Sequence, residues 1–159
     1  MEYRTIGDLK EAGFEGFCSV ADLRKDLSGI PVVQGVYIVV YQEDGMPEFL
    51  ENGTGGFFKA KNPNVPVSEL KSNWVGGTCV VYIGKATTLS KRISQYLKFG
   101  NGKSIGHWGG RLIWQIKDSK DLQICWKPVD ADPREEEMRL IADFKRQYGG
   151  KRPFANLQD

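Results

Sequence analysis

The sequence predicts an α+β domain, and three observations carry that expectation. Residues Gly35-Val36-Tyr37-Ile38-Val39-Val40-Tyr41 are nearly all β-branched or aromatic, which reads as a central strand buried on both faces. Elsewhere apolar residues recur at helical spacing: Leu89, Ile93, Tyr96 and Leu97 lie at i, i+4, i+7 and i+8. The length of 159 residues suits one domain with a real core and is short for two. We therefore read 1–159 as a single domain.

The N-terminal residues 1–30 read as a helical extension. Thr5 and Ser19 are helix caps, each with an acid three residues on, so short helices follow near 6–12 and 20–27. Gly13 and Gly29 are the expected stops. After the strand at 35–41, Glu43-Asp44-Gly45 is a turn signal. Residues 42–78 are rich in Gly, Pro and Asn, with a loop or hairpin tip at 53–59 and a short helix from Val67 to Trp74. The glycines there lack the G-x-x-x-x-G-K-[ST] spacing of a phosphate-binding loop.

Val80-Val81-Tyr82-Ile83-Gly84 reads as a strand that turns into a helix at 88–98, with Thr87 or Thr88 as its cap. This corner brings a tyrosine, Lys85 and Arg92 toward one sheet edge, a grip for phosphate because Arg offers a planar fork and Lys a point charge. An ordinary strand–helix corner with solvated basic residues reads equally well from this stretch alone. A loop at 100–111 follows, then an extended segment at 112–116, a charged turn at 118–121 and an alternating strand at 122–128.

The last helix starts at Asp132-Pro133 with Glu135 in the capping-box position and runs to about Tyr148, stopped by Gly149-Gly150. Glu137 shares the face of Leu140, Ile141, Phe144 and Tyr148. A carboxylate there is costly unless paired or bound to a cation. It either reaches for water or pairs with an Arg, or it holds Mg²⁺, an ion content with one or two carboxylates plus waters and phosphate oxygens.

Net charge is +2, but residues 85–117 hold seven Lys or Arg and no acid, so the remainder carries −5 (2 − 7). Such asymmetry suits a polyanion, and the interleaved Tyr96, Phe99, Trp108 and Trp114 suit nucleic acid. Lys91, His107 and Arg111 are candidate substrate contacts on this stretch. His107 is the sole histidine, and a lone His in a glycine-rich loop is usually solvent-exposed or a local hydrogen-bonder. The three cysteines are too scattered for a disulfide framework or zinc site, and Cys79 and Cys125 read as buried. No apolar run approaches the ~18 residues of a membrane span. The N-terminus has no apolar signal-peptide core, so the expectation is a cytoplasmic protein without membrane association.

Five ordered elements together resemble the GIY-YIG nuclease superfamily, and are most similar to the N-terminal nuclease domain of the excision-repair C subunit. They are Gly35-Val36-Tyr37; Tyr82-Ile83-Gly84-Lys85-Ala86; Leu89 with Arg92; Glu137 with Leu140-Ile141; and Pro153 with Asn156. The match covers 33–41 and 79–157, and residues 42–78 stand out as an insertion, either a substrate flap carrying Lys59, Lys61 and Trp74 or decoration. The resemblance implies a small central antiparallel β-sheet, mainly three-stranded, flanked by helices, with the site on one side of it. It also implies a metal-dependent DNA endonuclease. Glu137 would be the metal ligand for Mg²⁺ or Mn²⁺. Arg92 and Lys85 would neutralise the phosphate, and Tyr37 and Tyr82 would position or deprotonate water. Asn156 would brace the site. The alternatives are a nucleic-acid-binding module of the same fold, inactive alone or dependent on a partner, and a sequence-specific enzyme that reads bases with 42–78 or 101–116. The sequence leaves open the DNA preference, a protein partner or homodimer, and which tyrosine is the base.

Overall fold

The computed structural model describes residues 1–158. Its elements are α1 (Ile6–Glu11), β1 (Glu15–Ser19), α2 (Val20–Lys25), β2 (Gly35–Val40), α3 (Val67–Asn73), β3 (Val80–Ala86), α4 (Leu89–Gly100), β4 (Gln123–Pro128) and α5 (Pro133–Gln147). The class is α+β, as expected. The sheet is antiparallel in the order β1-β4-β2-β3, with β2 buried along its whole length.

The expected three-stranded sheet has a fourth strand, β1, inside the stretch read as a helical extension. The reason lies in its backbone. Gly16 and Phe17 both take positive φ (99° and 57°), and the pairing with β4 slips between Gly16 and Cys18. A bulge breaks the two-residue alternation by which strands are read. The flanking helices start where expected. Thr5 and Asp8 form a reciprocal capping box, and the Ser19 hydroxyl accepts from Asp22 N.

The second correction is at 112–116, expected as extended. Residues Trp108–Gln115 instead form a 3-10 run kinked at Gly110. Leu112, Ile113, Trp114 and Gln115 are buried in succession, and a continuous buried run carries no period to separate strand from helix. The turn after it holds a further 3-10 piece, Ser119–Asp121.

Alternation along β2 and β3 sorts the core into two layers. Val36, Ile38, Val40 and Ile83 face α1 and α5, with Leu140, Ile141 and Phe144 packed on them. Tyr37, Val39, Tyr82 and Trp126 face α2, α3, α4 and the 3-10 run. The insertion joins this second layer. The buried Gln115 amide donates to the Leu50 and Val65 carbonyls and its Oε1 accepts from Val65 N. Trp74 packs edge-on against Tyr41, Phe49 and Phe154. Trp74 is therefore a packing residue, while Lys59 and Lys61 sit exposed on a tight turn bridged by Phe58 and Lys61. Tyr96, Phe99 and Trp114 are also buried, so in this form they offer no faces to bases; Trp108 is half-buried. Cys79 and Cys125 are buried and free.

Candidate active site

The antiparallel register builds the tyrosine pair. Tyr37 lies opposite Gly84, and Tyr82 lies opposite Val39, so both tyrosines project from one face as diagonal neighbours. Their ring centroids are 6.1 Å apart. Gly84 is required for this: a Cβ there would stand 2.5 Å from Tyr37 Cζ and 2.7 Å from its hydroxyl oxygen.

Helix α4 packs on the same face and supplies Arg92 and Tyr96. Thr88 is its N-cap but makes no side-chain cap; the Leu89 and Ser90 N–H groups donate to the Val33 and Pro31 carbonyls. The Arg92 guanidinium donates to the Gly106 carbonyl (3.1 Å) and Gln95 Oε1 (3.3 Å). The Tyr96 hydroxyl donates to Gly110 O at 2.6 Å. Tyr96 read as a core residue and as one of the interleaved aromatics, not as a member of the site, although it lies four positions from Arg92 and so shares its side of the helix.

His107 is not the solvent-exposed residue that was one of its two expectations; it is hydrogen-bonded, to a residue 70 positions away. It is 0% exposed, stacked on Tyr96 (centroids 3.7 Å, 15°), with Nε2 2.6 Å from the Tyr37 hydroxyl. The loop carrying it closes over the tyrosines, leaving Tyr37 1% and Tyr82 7% exposed. Gly110 allows this approach, since a Cβ there would lie 2.5 Å from the Tyr96 hydroxyl and 2.9 Å from Tyr82 Cζ.

Lys85 pairs opposite Val36 and so belongs to the α5 face. Its Nζ stands 3.4 Å from Glu137 Oε1. The two sets of residues thus sit on opposite faces and meet around the end of β3, rather than lying on one side of the sheet. A groove of about 480 Å³ runs there, lined by Lys85, Lys91, Arg92 and Gln95 from one side and Asp132 to Arg134 from the other. Arg134 is a cation of this groove that the motif reading did not single out. Arg111 is not brought to it; its guanidinium donates to Trp108 O and lies over the Trp108 ring. Asn156 is a brace: its amide donates to Ile83 O (2.9 Å) and its Oδ1 accepts from Ile83 N (3.0 Å), satisfying the free edge of β3.

The electrostatics follow from burial and charge. Burial raises the Glu137 carboxyl above its usual range, opposed by Lys85, Arg134 and Arg92. Tyr82 is pushed up to about 12 by burial and by Glu137, opposed by Arg92 and by the Tyr37 hydroxyl. Tyr37, wholly buried, is raised further, chiefly by burial. Burial, with Arg92 adding to it, drives His107 well below its ordinary value, so its imidazole is neutral.

No set of three or more His, Cys, Asp or Glu side chains converges as a metal cage among the described residues. Glu137 offers one half-buried carboxylate beside Lys85, a donor set that suits Mg²⁺ or Mn²⁺ only when phosphate and water complete the shell. No described helix is long and apolar enough to cross a membrane. Comparison with protein-family models, curated proteins and solved structures gives no match.

Proposed function

We propose that the chain is a metal-dependent endonuclease that hydrolyses DNA phosphodiesters at the groove around the end of β3. One observation carries this reading: Arg92 from α4, Lys85 from β3, Glu137 from α5 and the tyrosines of β2 and β3 converge from sequence positions up to a hundred residues apart. Arg92 would bind the phosphate and favour its charged transition state. Lys85 would exchange its contact with Glu137 for a phosphate oxygen. Tyr82, the less buried of the two tyrosines, would orient the attacking water. Mg²⁺ or Mn²⁺ bound by Glu137 would supply charge that activates water and favours departure of the leaving oxygen. Asn156 would hold β3 in place behind it.

A second reading, a nucleic-acid-binding module without cleavage, is favoured by the near-complete burial of Tyr37 and Tyr82 under the His107 loop. The test is nicking of supercoiled plasmid at low salt, with Mg²⁺ or Mn²⁺ and with chelator, for wild type and Arg92→Ala. Metal-dependent nicking lost in the variant supports the nuclease. DNA binding without nicking, in plasmid and branched substrates alike, supports the binding module.

A further inference from the structure

His107 lies outside every element of the nuclease-like motif, yet it is the group in contact with the Tyr37 hydroxyl. Three contacts fix it. Its ring lies flat on Tyr96, its Nε2 meets Tyr37, and its main-chain N–H donates to Ile105 O at 2.9 Å. The remaining ring nitrogen, Nδ1, is buried with no partner among the described residues. Leaving such an atom unpaired costs about 1–3 kcal/mol, so stability alone does not account for the residue.

The unpaired nitrogen also selects a tautomer. A buried N–H without an acceptor is rarer than a buried acceptor without a donor. Nδ1 is therefore the bare nitrogen, and Nε2–H donates to the Tyr37 oxygen. Tyr37 must then turn its own proton elsewhere, and Tyr82 is the neighbouring phenol, its ring centroid 6.1 Å away. Resting on the nuclease reading above, we propose that His107 is a positioning residue of the tyrosine pair: its Nε2–H fixes the Tyr37 hydroxyl so that it donates toward Tyr82 and stabilises negative charge on the Tyr82 oxygen. Of the two phenols Tyr82 is the less buried, 7% exposed against 1% for Tyr37.

The test combines nitrogen NMR of the imidazole with the pH profile of plasmid nicking in Mg²⁺. The spectrum shows hydrogen on Nε2, and Tyr37→Phe changes that signal. His107→Ala lowers kcat about 10- to 100-fold, the range for losing an outer hydrogen-bond partner. It leaves KM for DNA unchanged and moves the alkaline limb of the kcat profile upward. His107→Gln, whose amide can reach the Nε2 position, restores part of the rate; it also serves if the Ala variant does not fold. The double variant with Tyr37→Phe is no slower than Tyr37→Phe alone. Hydrogen on Nδ1 overturns the proposed hydrogen-bond direction, whether or not the protein cuts DNA. A wild-type rate and pH profile in His107→Ala overturns the positioning role while leaving the nuclease reading intact. Equal loss in the Ala and Gln variants with no shift of the limb reduces His107 to a structural role. A wild type that never nicks removes the nuclease reading itself, and the positioning role with it.

Discussion

Gly84→Ala tests the geometry on which the site depends. Gly84 is not among the positive-φ glycines, so alanine meets no backbone penalty there. In open space the change would stabilise by about 0.4–1 kcal/mol through the unfolded chain. The space is not open. The new Cβ would stand 2.5 Å from Tyr37 Cζ and 2.8 Å from Cε1, about 1 Å inside ordinary carbon contact. Tyr37 has little room to yield, because Tyr82, Tyr96 and His107 surround its ring and β2 lies in the middle of the sheet. Overpacking costs about 1–3 kcal/mol, and losing the Tyr37–His107 bond adds about 0.5–1.5 kcal/mol. After the gain of about 0.4–1 kcal/mol the net expectation is about 0.5–4 kcal/mol, a Tm drop of up to roughly 15 °C for a chain of this size. Gly76→Ala is the control: its φ is not positive and nothing lies within 4 Å of its Cβ, so it should be neutral or slightly stabilising. Urea unfolding at constant m-value reads both. A Gly84→Ala protein as stable as Gly76→Ala would refute the close approach of Tyr37 to β3.

Three other outcomes follow from the same geometry. The folded state keeps His107 neutral while the unfolded chain takes up a proton, so stability is present above the ordinary histidine pKa and is lost as pH falls through it. From pH 7 to pH 5.5 the loss is about 1.3 kcal/mol, using a free value of ~6.5; as the chain has one histidine, His107→Gln should abolish that slope in urea titrations. Glu137 has the opposite sign: its raised carboxyl makes stability fall as pH rises from the ordinary carboxylate range through the folded value, so Glu137→Gln should be no less stable than wild type within about 0.5 kcal/mol by thermal unfolding at pH 7. With Lys85, Lys91, Arg92 and Arg134 contacting about four phosphates, DNA affinity should fall about 100-fold between 50 and 200 mM salt, and an anisotropy titration with no salt slope would remove the groove as the contact.

The elements that carry a strong local signal were legible from sequence. β2 reads from its unbroken β-branched run, α4 from its apolar stripe, and α5 from Asp132-Pro133 at its start. The Glu137 environment was legible in part: a carboxylate on a core-facing stripe calls for water or a positive partner, and the partner is Lys85 where an Arg was expected. What escaped depends on contacts distant in sequence. β1 is hidden by its bulge, and the 3-10 run by continuous burial. His107 read as exposed or locally hydrogen-bonded because Gly106, Gly109 and Gly110 surround it; Gly110 instead lets the loop settle on the tyrosines. The basic stretch at 85–117 was read as an aromatic nucleic-acid face, but three of its four interleaved aromatics are core. The charges, at the groove and on the exposed Lys98, Lys103 and Lys117, remain for a polyanion.

The central claim is that Glu137 and Arg92 act on one phosphodiester through a divalent ion. The most direct measurement is single-turnover cleavage of a labelled DNA duplex by wild type and Glu137→Gln, each in Mn²⁺ and in chelator, with both proteins shown to be folded and to bind the duplex. The account predicts cleavage by wild type in Mn²⁺ alone, and a loss of about 100-fold or more in Glu137→Gln with binding retained. Equal cleavage by the two proteins, or cleavage by wild type that survives chelation, would contradict it.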